Sequence, residues 1–289
     1  MGYILHIGIL IGLYIIIAQA LNLTYGFSGL MNLSSAAFYG IGAYSYALLT
    51  LQGGFPPIFS LMGAVGITSA IALLLGIPAL RLRKDSFFLV TLGFQIIIGA
   101  VLFNWVGLTR GPYGIPGIPR PVILGWSVNR PWEFLLVLCV VLLIAGGFLF
   151  LIFQTPFGLS LKALRDDERG AMALGKSPFR QFLLAFVVGS GMMAIPGAFY
   201  ASYATYIDPG LFGIDESIYQ IVILSLGGSG NRKGPIVGVL VMVIIPEILR
   251  VLQLPSSIAF NLRQILYGIM LVILMTLRPK GLAGEYSLK

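Results

Sequence analysis

Charge is what this chain lacks most. It has 18 Lys and Arg and 10 Asp and Glu, 28 charged residues in 289, and none of them precedes Arg81. Soluble domains carry about a quarter charged residues. A chain that is 10% charged and 58% apolar, with a mean hydropathy of +0.96, is therefore excluded from the water-soluble globular class. The single cysteine, Cys139, rules out a disulfide framework and, lying within an apolar run, is expected to be a filler thiol of the core. The single histidine, His6, has no second histidine with which to share a metal, and reads as an interfacial or hydrogen-bonded side chain. Neither a Ser/His/Asp set nor a metal cluster can be assembled, so the chain is expected to be no enzyme and to need no cofactor. The start, MGYILHIGILIGLYIIIAQA, has no basic n-region and no small-residue cleavage site, and is expected to remain as a first helix.

What is present is a series of uncharged runs of roughly 18 to 22 residues, which match a ~30 Å hydrocarbon layer at ~1.5 Å per helical residue. The expected fold class is all-α: a polytopic membrane protein of about 8 to 10 transmembrane helices, one domain over residues 1–289 surrounded by lipid. A net charge of +8 fits basic cytoplasmic loops, and no basic cluster interleaved with exposed aromatics suggests nucleic acid.

Helix one is expected over residues 3–21. In the stretch that follows, Asn22, Thr24, Ser28, Asn32, Ser34 and Ser35, with Gly26 and Gly29, interrupt the apolar pattern. Two readings stay open: a broken segment lining a path through the bundle, or a loop between ordinary helices. Further spans are expected at 58–80, 86–104, 134–153, 179–203, 235–252 and 258–277, with 217–230 a short or bent crossing. Residues 105–132, rich in Pro and Gly, form the longest non-helical connection, and 204–217 form an acidic, exposed one containing Asp208, Asp215 and Glu216. Glu247 and Arg250 are spaced to pair within one helix. If 81–85, 155–180, 231–233 and the tail share a side, that side holds 13 of 18 Lys and Arg and is cytoplasmic. Nine crossings put the N-terminus outside and ten put it inside.

Eight charged residues concentrate in TPFGLSLKALRDDERGAMALGKSPFR, residues 155–180. Thr155 and Pro156 read as N-cap and first helical residue, Gly175 as a stop, and Ser177 and Pro178 as the start of the next span. Phe157, Leu161, Leu164, Ala171 and Met172 recur at helical spacing as an apolar stripe, while Lys162, Arg165 and Arg169 share another face. Such an element rests on headgroups or docks into a partner. Anionic lipid would repel Asp166, Asp167 and Glu168, and Glu168 interrupts the stripe, which favours docking.

This run, together with FYGIGAYSYALL at 38–49, LTRGPYGIPGIPRP at 108–121, LGGSGNRKGPIVG at 226–238 and LRPKGL at 277–282, resembles the M-type permease of ABC importers for branched-chain amino acids. Against the general importer pattern Glu-Ala-Ala-x-x-x-Gly, Ala171 and Gly175 fit, whereas Arg169 stands in the Glu slot and Gly170 in an Ala slot. The resemblance implies the larger, vitamin-importer-like (type II) permease architecture and a bacterial cytoplasmic-membrane location. It also implies a second similar permease, two cytoplasmic ATPases and a periplasmic binding protein that lands near 105–131 and 204–216. Phe157, Leu161, Leu164, Arg165, Asp167, Glu168, Arg169, Met172 and Gly175 are the expected ATPase-coupling residues. Asn22, Thr24, Asn32, Ser34, Tyr44 and Gln220 are the expected polar lining of the path. GGSGNRKG lacks the Ser or Thr that a P-loop needs after its Lys, so ATP is expected to be hydrolysed elsewhere. An importer of urea or short amides and a stand-alone secondary transporter or channel are the rival readings.

Overall fold

The computed structural model describes residues 2–82, 84–123, 126–251, 268 and 281–283. The expected span at 258–277, the side chains of Glu247 and Arg250, and most of the basic tail lie outside the described residues. Of the described residues 79% are helical, and the protein is a polytopic membrane bundle. Its helices are α1 (Gly2–Leu21), α2 (Ser35–Leu51), α3 (Pro57–Ala79), α4 (Lys84–Asn104), α5 (Val106–Thr109), α6 (Pro131–Gln154), α7 (Pro156–Asp166), α8 (Glu168–Ala173), α9 (Pro178–Ala204), α10 (Ile214–Gly227) and α11 (Gly234–Val251). Among the described residues, five helices are long and apolar enough to cross a membrane: α1 with its extension to Phe27, α3, α4, α6 and α9.

The connection at 105–130 is not wholly irregular. It holds α5 and two short strands, β1 (Ile115–Pro116) and β2 (Val122–Ile123), with β3 (Trp126–Ser127) closing a hairpin on β2. β1 pairs with β4 (Tyr206–Ile207), so the loops after α4 and α9 are joined into one surface.

α9 is the most enclosed of the five spans, wrapped by α1, α2 and α3. Its crossing with α2 requires glycine. A Cβ on Gly197 would lie 2.2 Å from the Tyr39 carbonyl oxygen, and one on Gly42 would lie 2.4 Å from the Ala194 Cα. These are backbone-on-backbone contacts of the kind that small residues allow between membrane helices.

Helix direction follows from end-to-end contacts. Near the start of α1, His6 Nδ1 lies 2.8 Å from the hydroxyl of Tyr203 at the end of α9. At its other end, Phe27 stacks at 4.2 Å on Phe153 at the end of α6. α1 thus runs parallel to α6 and begins on the face opposite α7 and α8. This is the arrangement that accompanies nine crossings. Cys139 is exposed on α6, not buried as expected, because the inward side of that helix is taken by Phe134, Leu138, Ala145 and Leu149. A helix apolar all round does not reveal in sequence which side faces lipid.

Candidate translocation junction and coupling element

The polar interruption after α1 is neither an ordinary loop nor a plain helix. α1 continues as a π-helical turn, Asn22–Phe27, and the chain then runs irregularly to Ser34, with most of these residues buried. Two short helices begin near this region. α2 has 17 residues and α10 has 14, about 26 and 21 Å long, so neither alone covers a ~30 Å hydrocarbon layer.

Their first turns meet inside the bundle. The Ser217 hydroxyl accepts from the Ala36 N–H at 3.0 Å and donates to Gln95 Oε1 at 3.0 Å. Gln95 Oε1 also accepts from the Ala37 N–H at 2.7 Å, while its Nε2 donates to the Phe212 carbonyl at 2.8 Å. Gln95 and Ser217 therefore satisfy two of the otherwise orphaned N–H groups of α2. Glu216 is drawn away from the solvent-exposed loop where it was expected. Its Oε1 accepts from the Tyr14 hydroxyl and from Gln220 Nε2, both at 3.0 Å.

The six expected lining residues divide accordingly. Asn22 belongs to a clamp at the α7 end: its Nδ2 donates to the Asn231 carbonyl at 2.6 Å and its Oδ1 accepts from the Gly230 N–H at 2.9 Å. Thr24 bonds back to the Leu21 carbonyl at 3.0 Å. Asn32 Oδ1 accepts from both the N–H and the hydroxyl of Ser34, at 2.9 and 2.6 Å. Tyr44 lies along α2 with its ring 5.9 Å from that of Phe212, and Gln220 sits one turn beyond Glu216 on α10.

Asn32 Nδ2, Ser35 Oγ, Tyr44 Oη and Gln220 Oε1 are buried without a hydrogen-bond partner among the described residues. Gln19 Oε1 and Ser190 Oγ are buried unpaired as well, and each unmet polar atom of this kind costs about 1–3 kcal/mol. Gln95, Ser217 and Tyr14 are absent from the expected lining. The lone amide in the middle of the α4 span was the signal for Gln95. Replacing Gln95 by Leu leaves the Ala37 N–H and the Phe212 carbonyl unpaired. The expected result is a loss of about 2–3 kcal/mol, seen as a lower melting temperature in detergent.

The charged stretch folds as two helices broken at Asp167. Thr155 caps α7, Asp167 caps α8 by accepting from the Gly170 N–H at 3.0 Å, and Gly175 ends the element at φ +80°. The apolar stripe is largely spent within the chain. Leu161 and Leu164 are fully buried, Ala171 nearly so, and Phe157 packs against the same core. The exposed large apolar side chains are Leu159, Met172 and Leu174.

Two cations of the basic face, Lys162 and Arg165, also turn inward. The Arg165 guanidinium donates to the Gly26 carbonyl within the π-helical turn and to Asp166 Oδ1 at 2.9 Å. Lys162 Nζ lies 4.8 Å from the Phe27 ring centre. Gly29, at φ +69°, leaves room for Arg165, whose Cγ would be 2.8 Å from a Cβ there. Arg169 is exposed, and Glu168 lines a cavity of about 300 Å³ with Leu80, Leu82, Phe87 and Phe182. α7 is thus clasped to the turn that leads toward the start of α2.

A membrane bundle with discontinuous helices meeting at a buried polar junction, and an extramembrane element tied to that junction, defines the class of a transport permease. The family described as "Branched-chain amino acid transport system / permease component" matches residues 3–275, and the chain belongs to it. The high-affinity branched-chain amino acid transport system permease protein LivM of Escherichia coli is 32% identical over 93% of this chain and 67% of its own length. The probable LivM of Methanocaldococcus jannaschii is 26% identical over 95% of this chain and 91% of its own. The autoinducer 2 import system permease LsrC of Salmonella typhi is 29% identical over 57% of this chain and 48% of its own. No solved structure matches the chain.

Proposed function

We propose that the chain, as a single permease domain, is the transmembrane subunit of an ATP-driven importer of branched-chain or other hydrophobic amino acids in a bacterial cytoplasmic membrane. It pairs with a second, similar permease. Two cytoplasmic ATPases drive it through α7 and α8, and a periplasmic binding protein delivers substrate to the opposite face. The observation that carries this reading is the clasp of α7 onto residues 22–29, which ties an extramembrane handle to the base of the polar junction.

Since Leu161 and Leu164 are buried, they anchor the handle, and Leu159, Glu168, Arg169, Met172 and Leu174 offer the ATPase its contact. A shift of the handle moves the π-helical turn. The turn in turn moves the start of α2 against α10, and the bundle alternates between its two open states. A zwitterionic substrate is bound by dipoles and by the unpaired polar atoms near Asn32, Ser35, Tyr44 and Gln220. Fixed charge along such a path costs at least ~2.5–3.5 kcal/mol, which limits it to few groups. The loops joined through β1 and β4 receive the binding protein.

The test is reconstitution with the second permease and the ATPases in vesicles, followed by leucine uptake. Uptake is expected only with ATP and binding protein present, and to be lost in Gly175→Arg, where a left-handed backbone position closes the handle. Uptake without ATPases would refute the proposal.

A further inference from the structure

One cavity opens between α7, the π-helical turn and the loop between α10 and α11. It has a volume of about 470 Å³ and is lined by Phe27, Phe153, Lys162, Asn231, Arg232 and Lys233, with Ala283 at its edge. Phe27 is the last residue of the first span, and Phe153 is one residue short of the end of the fourth, so the cavity lies where hydrocarbon gives way to headgroups. Three cations and no carboxylate line it among the described residues. Two of the cations are steadied by aromatic rings: Lys162 over Phe27 at 4.8 Å and Arg232 over Phe150 at 4.2 Å. Stacking occupies the face of a guanidinium and not its in-plane N–H donors, which are those that bind phosphate oxygens.

The lipid side is also prepared. Phe150, which carries Arg232 on its ring, is exposed beside the cavity, and Leu143, two turns earlier, continues the apolar surface along α6. We propose that this cavity binds the phosphate headgroup of an anionic phospholipid, with its acyl chains lying along α6. Basic pockets between helices on the cytoplasmic side are suited to this chemistry. Bound there, the headgroup joins α7, the π-helical turn and the loop between α10 and α11 through one shared anion.

The experiment uses the full chain purified in detergent, given equal amounts of phosphatidylglycerol and phosphatidylcholine, with bound lipid counted by native mass spectrometry. Wild type is expected to retain phosphatidylglycerol preferentially. R232Q/K233Q should lower that retention about ten-fold or more and leave phosphatidylcholine unchanged, since each cation near an anionic surface contributes measurably. R81Q, an exposed cation outside the cavity, should behave as wild type. Should the double variant fail to fold, K233Q alone, at an exposed lysine, carries the same comparison.

Equal retention in wild type and variant overturns the proposal, as does an equal loss in R81Q. Displacement of phosphatidylglycerol by millimolar inorganic phosphate, with no lipid preference left, would make this a small-anion site and also overturn it. Absence of anionic lipid from wild type, with binding seen only on adding ATPase, would assign the cavity to a protein partner.

Discussion

Replacing Gly197 by alanine is expected to cost the bundle about 3 kcal/mol or more, although alanine is ordinarily the better helix former. The added Cβ would lie 2.2 Å from the Tyr39 carbonyl oxygen and 2.9 Å from the Ala43 backbone nitrogen. Both atoms belong to helix backbone, so no side chain can rotate away, and α2 and α9 must separate. Separation opens the packing of α2 on the most enclosed span and disturbs the start of α2, where Gln95 and Ser217 hold it. Gly146 on α6 provides the contrast, since nothing lies within 4 Å of a Cβ there. Gly146→Ala should be neutral or stabilising by about 0.5–1 kcal/mol, as expected for removing a helical glycine. Thermal unfolding of both variants in the same detergent decides the matter. Equal melting temperatures for Gly197→Ala and wild type would mean that the helices do not cross this closely.

The second large effect is expected at Arg165, and on coupling more than on folding. Its side chain is only 8% exposed, with the guanidinium divided between the Gly26 carbonyl and Asp166. Arg165→Met keeps much of the apolar stem against Gly29 but removes every donor. Loss of one partner from a buried hydrogen bond costs about 1–3 kcal/mol, less than the stability of most domains, so the protein should still fold. Motion of α7 would then no longer carry the π-helical turn with it. For the importer proposed above, amino acid uptake in reconstituted vesicles should fall about ten-fold or more while ATP hydrolysis by the proposed ATPases continues; ten-fold corresponds to about 1.4 kcal/mol of lost coupling. Arg165→Lys should lie between, because a point charge replaces a planar fork. An unchanged ratio of uptake to hydrolysis in Arg165→Met would remove the clasp from the mechanism.

Local signals were enough for several elements. Thr155, Gly175 and Pro178 punctuate the charged stretch as their backbone preferences demand, and the structure has helix boundaries at these places. The polar interruption after Leu21 showed that the helix could not continue unaltered, but both a path-lining segment and a loop satisfied that pattern. The form the stretch takes depended on contacts about 200 residues away, such as Asn22 with Gly230 and Asn231. The stripe of Leu161 and Leu164 shows the same limit. Its spacing established that one face of α7 is covered, and only packing revealed that the cover is the chain's own core. Glu216 looked like part of an exposed acidic loop because Tyr14, which bonds it, stands at the other end of the chain.

The sequence by itself determined the class of this protein and where its charge is gathered. Scarcity of charge over long apolar runs leaves no solvent but lipid for most of the chain, and the few charges must gather where it emerges. Only the tertiary structure decided that α1 begins on the face opposite α7 and that Arg165 grips the turn at Gly26. It alone showed that α2 and α10 meet end to end around Gln95. In a chain this apolar, nearly every helix face can be buried, so which faces meet is decided by close backbone approach at glycines and by a few polar pairings distant in sequence.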